Sequence, residues 1–229
     1  MFIQMEEISV MPTPAQIIDV VSLRFGISRK AVALYDRLLV VHGYRKISGR
    51  GRSAVTTFGD AAALIIAVAA TPITGAALNI ANFEAYAGLR AANLAAGDVG
   101  GWTTISSLVE LHDGHTLHEV LTRILTRLYE GTLISDSTGQ PLAKGKIPYQ
   151  ADVGVNFYAP YPRASVTIEC KSDEGPNLTE TVYYWAVGEH RDKYWEEDPI
   201  DFFQTRSFGL ITLWSVVEAF FGSSARRDR

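Results

Sequence analysis

Val21-Ser22-Leu23-Arg24-Phe25-Gly26-Ile27-Ser28-Arg29-Lys30-Ala31-Val32-Ala33-Leu34-Tyr35-Asp36-Arg37-Leu38 is the stretch on which the reading of the fold turns. Ser22 is small enough for a second helix to cross closely, and Gly26 accepts the positive φ that ends one helix in a tight turn. Ser28 offers the side-chain oxygen that caps the next helix. The spacing places Val21, Phe25, Ile27, Val32 and Tyr35 between the two helices. Arg29, Lys30, Ala33 and Arg37 fall on one outward stripe.

Outward from this stretch, Pro14 suits a first helical turn, and Ile17, Val20, Val21 and Phe25 recur at helical spacing up to Gly26. The second helix is expected from Ser28 to about His42, closed by Gly43. Tyr44-Arg45-Lys46-Ile47 and Ala54-Val55-Thr56-Thr57 then read as two short strands joined by Ser48-Gly49-Arg50-Gly51-Arg52-Ser53, a basic wing. Helices are expected over Ala61 to Ala70 and Gly75 to Ala92, separated by a Thr-Pro break. A capping box of Thr116 with Glu119 opens a helix with an apolar face of Leu117, Val120, Leu121, Ile124, Leu125 and Leu128, ending at Gly131.

Val153 to Tyr158, Ala164 to Cys170 and Thr181 to Val187 have β character, with a turn at Ser172 to Asn177, and predict a small antiparallel sheet. Phe208 to Phe221 predicts a final helix. It is apolar around so much of its circumference that it needs burial on two sides, within its own fold or, with Trp214 as anchor, at a dimer interface. The expected class is α+β: a two-helix unit with a basic wing over 1–72, an α+β partner or dimerisation unit over 73–222, and a tail over 223–229.

The chain has 229 residues, 47% hydrophobic content and a formal net charge of -4. That charge is unevenly placed: residues 1–60 hold eight Lys or Arg against five acids, and all eight bases lie between Arg24 and Arg52. Phosphates feel the local field, so the overall acidity does not exclude a nucleic-acid partner. A single Cys170 excludes an internal disulfide and, with no basic-then-apolar leader, gives a cytoplasmic expectation. The Ala-rich run from Ala61 to Leu78, broken at Pro72 and Gly75, is not expected to span a membrane.

Gly26-Ile27-Ser28, Val32, Tyr35-Asp36 and the Gly43 turn into a basic wing resemble winged helix-turn-helix regulators, above all the MerR-like group. The tip Gly49-Arg50-Gly51-Arg52-Ser53-Ala54 with the following Ala/Leu-rich helix also looks like phage or prophage regulatory proteins. The resemblance covers the first third of the chain. It implies DNA contacts from Ser28, Arg29, Lys30, Ala33 and Arg37 on the second helix and from Lys46, Arg50 and Arg52 on the wing. Arg29 and Arg37 would read base edges, and the wing would meet the backbone or minor groove. The expected function is a sequence-specific transcriptional regulator on double-stranded DNA, acting as a homodimer through the region after residue 75, with RNA polymerase as a further contact. Two alternatives stand beside it: a DNA-packaging or recombination accessory (small terminase-like or excisionase-like), and a protein-interaction or ligand-binding module that binds no DNA.

No reaction, catalytic residue or cofactor is expected. His112, His115 and His118 with Asp113 and Glu119 have ligand-like spacing, but no second cluster completes a metal shell. Gly139 to Lys146 is one residue too long for a phosphate loop and has Ile147 where Ser or Thr would hold magnesium. Cys170 lies in a strand with Val166 and Ile168 and reads as a packed thiol. The acids between Glu189 and Asp201 fix no geometry for catalysis.

Overall fold

The computed structural model describes residues 11–46, 55–71, 80–92, 101–103, 105, 108, 110–133, 151–171, 178–186 and 204–221. The wing tip with Arg50 and Arg52, the turn at 172–177, residues 139–146, the acidic segment at 189–201 and the tail at 223–229 lie outside the described residues. Within them the fold is α+β, with six helices and one five-stranded antiparallel sheet.

Three helices open on the same device. Helix α1 (Pro14–Phe25), α3 (Phe58–Ala70) and α5 (Leu117–Glu130) each begin with a threonine capping box, Thr13 with Gln16, Thr57 with Asp60 and Thr116 with Glu119. Each box satisfies orphan backbone donors from both sides of the cap. Helix α5 ends as its sequence predicts, at Gly131 with φ 73°, and buries all six residues of its predicted apolar face. Helix α3 is different: Ala61 through Ala70 are all buried. A helix apolar on every side must be surrounded, and α3 packs against α2 (Arg29–Val41), α4 (Ile80–Ala87) and α5.

The sheet runs in the order β1 (Arg90–Ala92), β4 (Leu178–Trp185), β3 (Arg163–Cys170), β2 (Ala151–Ala159), β5 (Gln204–Gly209). Alternation sends Val153, Val155 and Phe157 of β2, and Val166 and Ile168 of β3, into the core. Strand β5 feeds directly into the last helix, α6 (Leu210–Phe220). Leu210, Leu213, Trp214, Val216, Val217 and Phe220 of α6 are buried, and the helix lies against α1, α5, β2 and β5. Its two-sided apolarity is therefore met within this chain, with Trp214 only 4% exposed. One cluster of buried side chains runs from Ile17 to Phe220 and so crosses the expected boundary at residue 72.

Several expectations need correction. The described parts of the two wing strands, residues 44–46 and 55–57, are not strand. The amides of Tyr44 and Arg45 both donate to the Leu39 carbonyl, which finishes α2, while Thr56 donates to the Pro12 carbonyl and Thr57 caps α3. Each segment is thus occupied with closing or opening a helix. The helix expected over 75–92 is helical only at 80–87 among its described residues, and Arg90–Ala92 is an edge strand paired with β4. Residues 208 and 209, expected as helix, belong to β5.

Candidate nucleic-acid interface

Helices α1 and α2 and the turn between them are built locally as their sequence dictates. Gly26 has φ 64° and ψ 27°, and an added Cβ there would meet nothing within 4 Å. The need for glycine is therefore conformational, not spatial. The Ser22 hydroxyl donates to the Ile27 carbonyl at 2.6 Å and ties the turn to α1. Ser28 caps α2 by accepting from the Ala31 amide. Val21, Val32, Tyr35 and Leu39 are buried between the helices, with Phe25 and Ile27 packed against the same cluster.

The opposite side of α2 carries the candidate contacts. Ser28, Arg29, Lys30 and Arg37 are exposed, as is Lys46 beyond the helix. Ala33, expected on the outward stripe, is half-buried and packs against the core. The exposed stripe is Lys30, Leu34, Arg37 and Val41, at the three- and four-residue steps that share a helix face. Leu34 and Val41 were not expected there, and Arg24 adds an exposed base on α1. Lys30, Arg37, Lys46 and Arg24 make no ion pair among the described residues.

Two arginines of the basic segment are engaged. Arg29 donates through Nε to Asp19 of α1, a bridge across the turn between two exposed side chains. At the first position of α2 a cation faces the positive end of the helix dipole, and Asp19 offsets this. Arg45 is buried against Asp36, which keeps it out of any surface contact. Burial raises the Asp36 carboxyl above its ordinary range although Arg45 pulls it down. Tyr44, the expected start of the wing, donates a hydrogen bond from its hydroxyl to the Glu84 carboxylate at 2.6 Å and packs edge-on against Phe83.

The histidines diverge. The His118 ring donates from Nε2 to the Gly59 carbonyl at 2.9 Å, whereas His112 faces Glu119 at the surface, 3.6 Å away. His115 is fully buried: Nδ1 donates to the His112 carbonyl at 3.0 Å, so neutral Nε2 accepts from the Tyr184 hydroxyl at 2.9 Å. Burial lowers the His115 pKa and raises that of Tyr184, which keeps this donor order. Among the described residues no group of three or more His, Cys, Asp or Glu is placed to hold a metal. Burial pushes the Cys170 thiol up, away from the thiolate a nucleophile needs. No helix among the described residues is long and apolar enough to cross a membrane.

Comparisons of the chain with family models, with curated proteins and with solved structures give no match.

Proposed function

We propose that this protein binds double-stranded DNA through α2 and acts as a sequence-specific transcriptional regulator of phage or prophage type. The carrying observation is the solvent-facing side of α2, where Lys30 and Arg37 stand one helix face apart from the core with no carboxylate partner among the described residues. Helix α2 follows a left-handed glycine turn and is capped by Ser28. An α-helix fits the major groove, and a guanidinium there bonds a guanine edge bidentately. Arg37 is the reader in this scheme, with Arg29 joining it on release from Asp19. Lys30, Lys46 and Arg24 neutralise phosphates, and Leu34 and Val41 offer apolar contact to thymine methyls. Arg50 and Arg52, outside the described residues, are proposed from the sequence alone to add contacts to the backbone or minor groove. Two copies on repeated half-sites would multiply the few contacts one helix makes.

Genome-wide mapping of sites bound by the tagged chain tests the reading. Occupied promoters with repeated half-sites are expected, and an absence of enriched DNA overturns it. The exposure of Leu23 (78%), Leu34 (47%) and Val41 (69%) favours a second reading, a protein-docking face. Binding to a protein partner that persists at high salt, with no DNA binding at low salt, marks that case.

A further inference from the structure

A cavity of about 300 Å³ lies where the end of α3, helix α4 and strands β2 and β5 meet. Tyr86, Phe157 and Pro162 supply apolar wall, and Asn82, Gln204 and Arg206 supply polar groups. This is the lower end of the size range of small-molecule sites, roughly 300 to 1,000 Å³, and the mixture of rings with a few polar groups is their usual lining.

Arg206 is the unusual member. It pairs in register with Phe157, so the two side chains share the core side of the sheet, with Gln204 two residues away on the same side. One guanidinium nitrogen donates to the Ala69 carbonyl at 2.9 Å. Among the described residues no carboxylate pairs with Arg206, and burial pulls its pKa down. A half-buried guanidinium without an anion is costly to keep. An inward charge on an edge strand does discourage strand addition. That purpose needs no cavity beside it and no flanking amides.

We propose that this cavity binds a small organic anion, a carboxylate or phosphomonoester carried on a planar apolar body. Arg206 bonds the anionic group, Asn82 and Gln204 meet its remaining polar atoms, and Tyr86 and Phe157 face the body. From there a series of ring contacts leads to the helix-turn-helix: Tyr86 to Phe157 at 5.3 Å, Phe157 to Phe208 at 6.0 Å, and Phe208 to Phe25 at 5.4 Å. Phe25 is the last residue of α1 before the Gly26 turn. Occupancy is thus placed to bias the setting of α2, a consequence that rests on the DNA-binding reading.

Calorimetric titration of the full chain with benzoate, phenyl phosphate and uncharged benzamide tests the site. A charge-assisted bond to Arg206 predicts that benzoate or phenyl phosphate binds about tenfold or more tightly than benzamide. Whichever of the two wins names the anionic group. Arg206→Gln should erase the preference and Arg206→Lys should keep part of it, with a melting curve checking that each variant folds. Charge-blind binding, no binding of any of the three, or a preference that survives Arg206→Gln overturns the proposal. The wild-type comparison needs no variant. DNA affinity measured with and without the winning anion reads the coupling separately: anion binding that leaves DNA affinity unchanged removes the coupling, and failure to bind DNA at all removes the DNA reading while the site stands.

Discussion

Asp19→Asn separates the two roles the Arg29–Asp19 bridge can play. The side chains are 61% and 57% exposed, so loss of the pair should cost only ~0.2–1 kcal/mol of folding stability. On DNA the sign reverses. If the proposed DNA-binding face meets phosphate, an acid removed from it relieves about 1 kcal/mol of repulsion at ~4 Å in water-like surroundings, which corresponds to about fivefold tighter binding at low salt. The guanidinium set free joins Arg37 at the base edges and also adds up to one positive charge to those offsetting phosphate, which steepens the log–log salt slope by up to about 0.9 and enlarges the loss between 50 and 200 mM salt by up to about 3.5-fold. Fluorescence anisotropy on a duplex, run beside urea unfolding, reads both quantities. Tighter, more salt-sensitive binding with nearly unchanged stability is expected. Affinity that stays flat or falls would refute the placement of Arg29 at the interface.

Three further substitutions or titrations follow from the packing. Asp36→Ala leaves the Arg45 guanidinium, whose side chain is 3% exposed, without its counter-charge and should cost about 3–5 kcal/mol in urea unfolding; a loss under 1 kcal/mol would show that the pair is not buried in solution. Leu121→Ala empties a fully buried position on α5 and should cost about 2–5 kcal/mol by the same assay. His115, held below its ordinary pKa by burial, binds fewer protons folded than unfolded, so its contribution to stability is lost as pH falls below about 6.5. His112 is shifted upward, chiefly by its bond to the Asp113 carbonyl, and contributes in the opposite sense, losing stability as pH rises through its folded value. His115→Asn should therefore flatten the acid limb of a stability–pH curve, and an unchanged limb would remove His115 as its source.

The elements legible in the sequence are those whose signals are local. The Gly26 turn, the Ser28 cap, the Thr116–Glu119 box and the apolar face of α5 each lie within a few residues of one another, and the structure places them where their spacing does. Strand β5 escaped because its inward positions are Gln204, Arg206 and Phe208, which break the apolar alternation that marks a strand. Strand β1 is Arg-Ala-Ala, with no β propensity of its own, and is fixed by β4 more than eighty residues away. Tyr44, Val55 and Thr56 favour β structure, but the Tyr44 amide is taken by the Leu39 carbonyl at the end of α2 and the Thr56 amide by the Pro12 carbonyl ahead of α1. Of the candidate interface, exposure of Arg29, Lys30 and Arg37 followed from helical periodicity, while Lys46, expected on a wing strand, is exposed without that strand. The Asp19 bridge did not, since its partners lie ten residues apart across a turn. Nor did the burial of Arg45, which lies beyond the end of α2 and depends on Asp36 within that helix.

The most direct test of DNA recognition by α2 is the affinity of the full chain for genomic fragments between 50 and 200 mM salt, alone and as the Lys30→Ala, Arg37→Ala double variant. Binding that falls steeply with salt is expected, with the slope reduced by about 0.9 through loss of Lys30 at its phosphate, and sequence preference relaxed by loss of Arg37. No binding at 50 mM salt, or binding unaffected by salt and by the double substitution, would contradict the account.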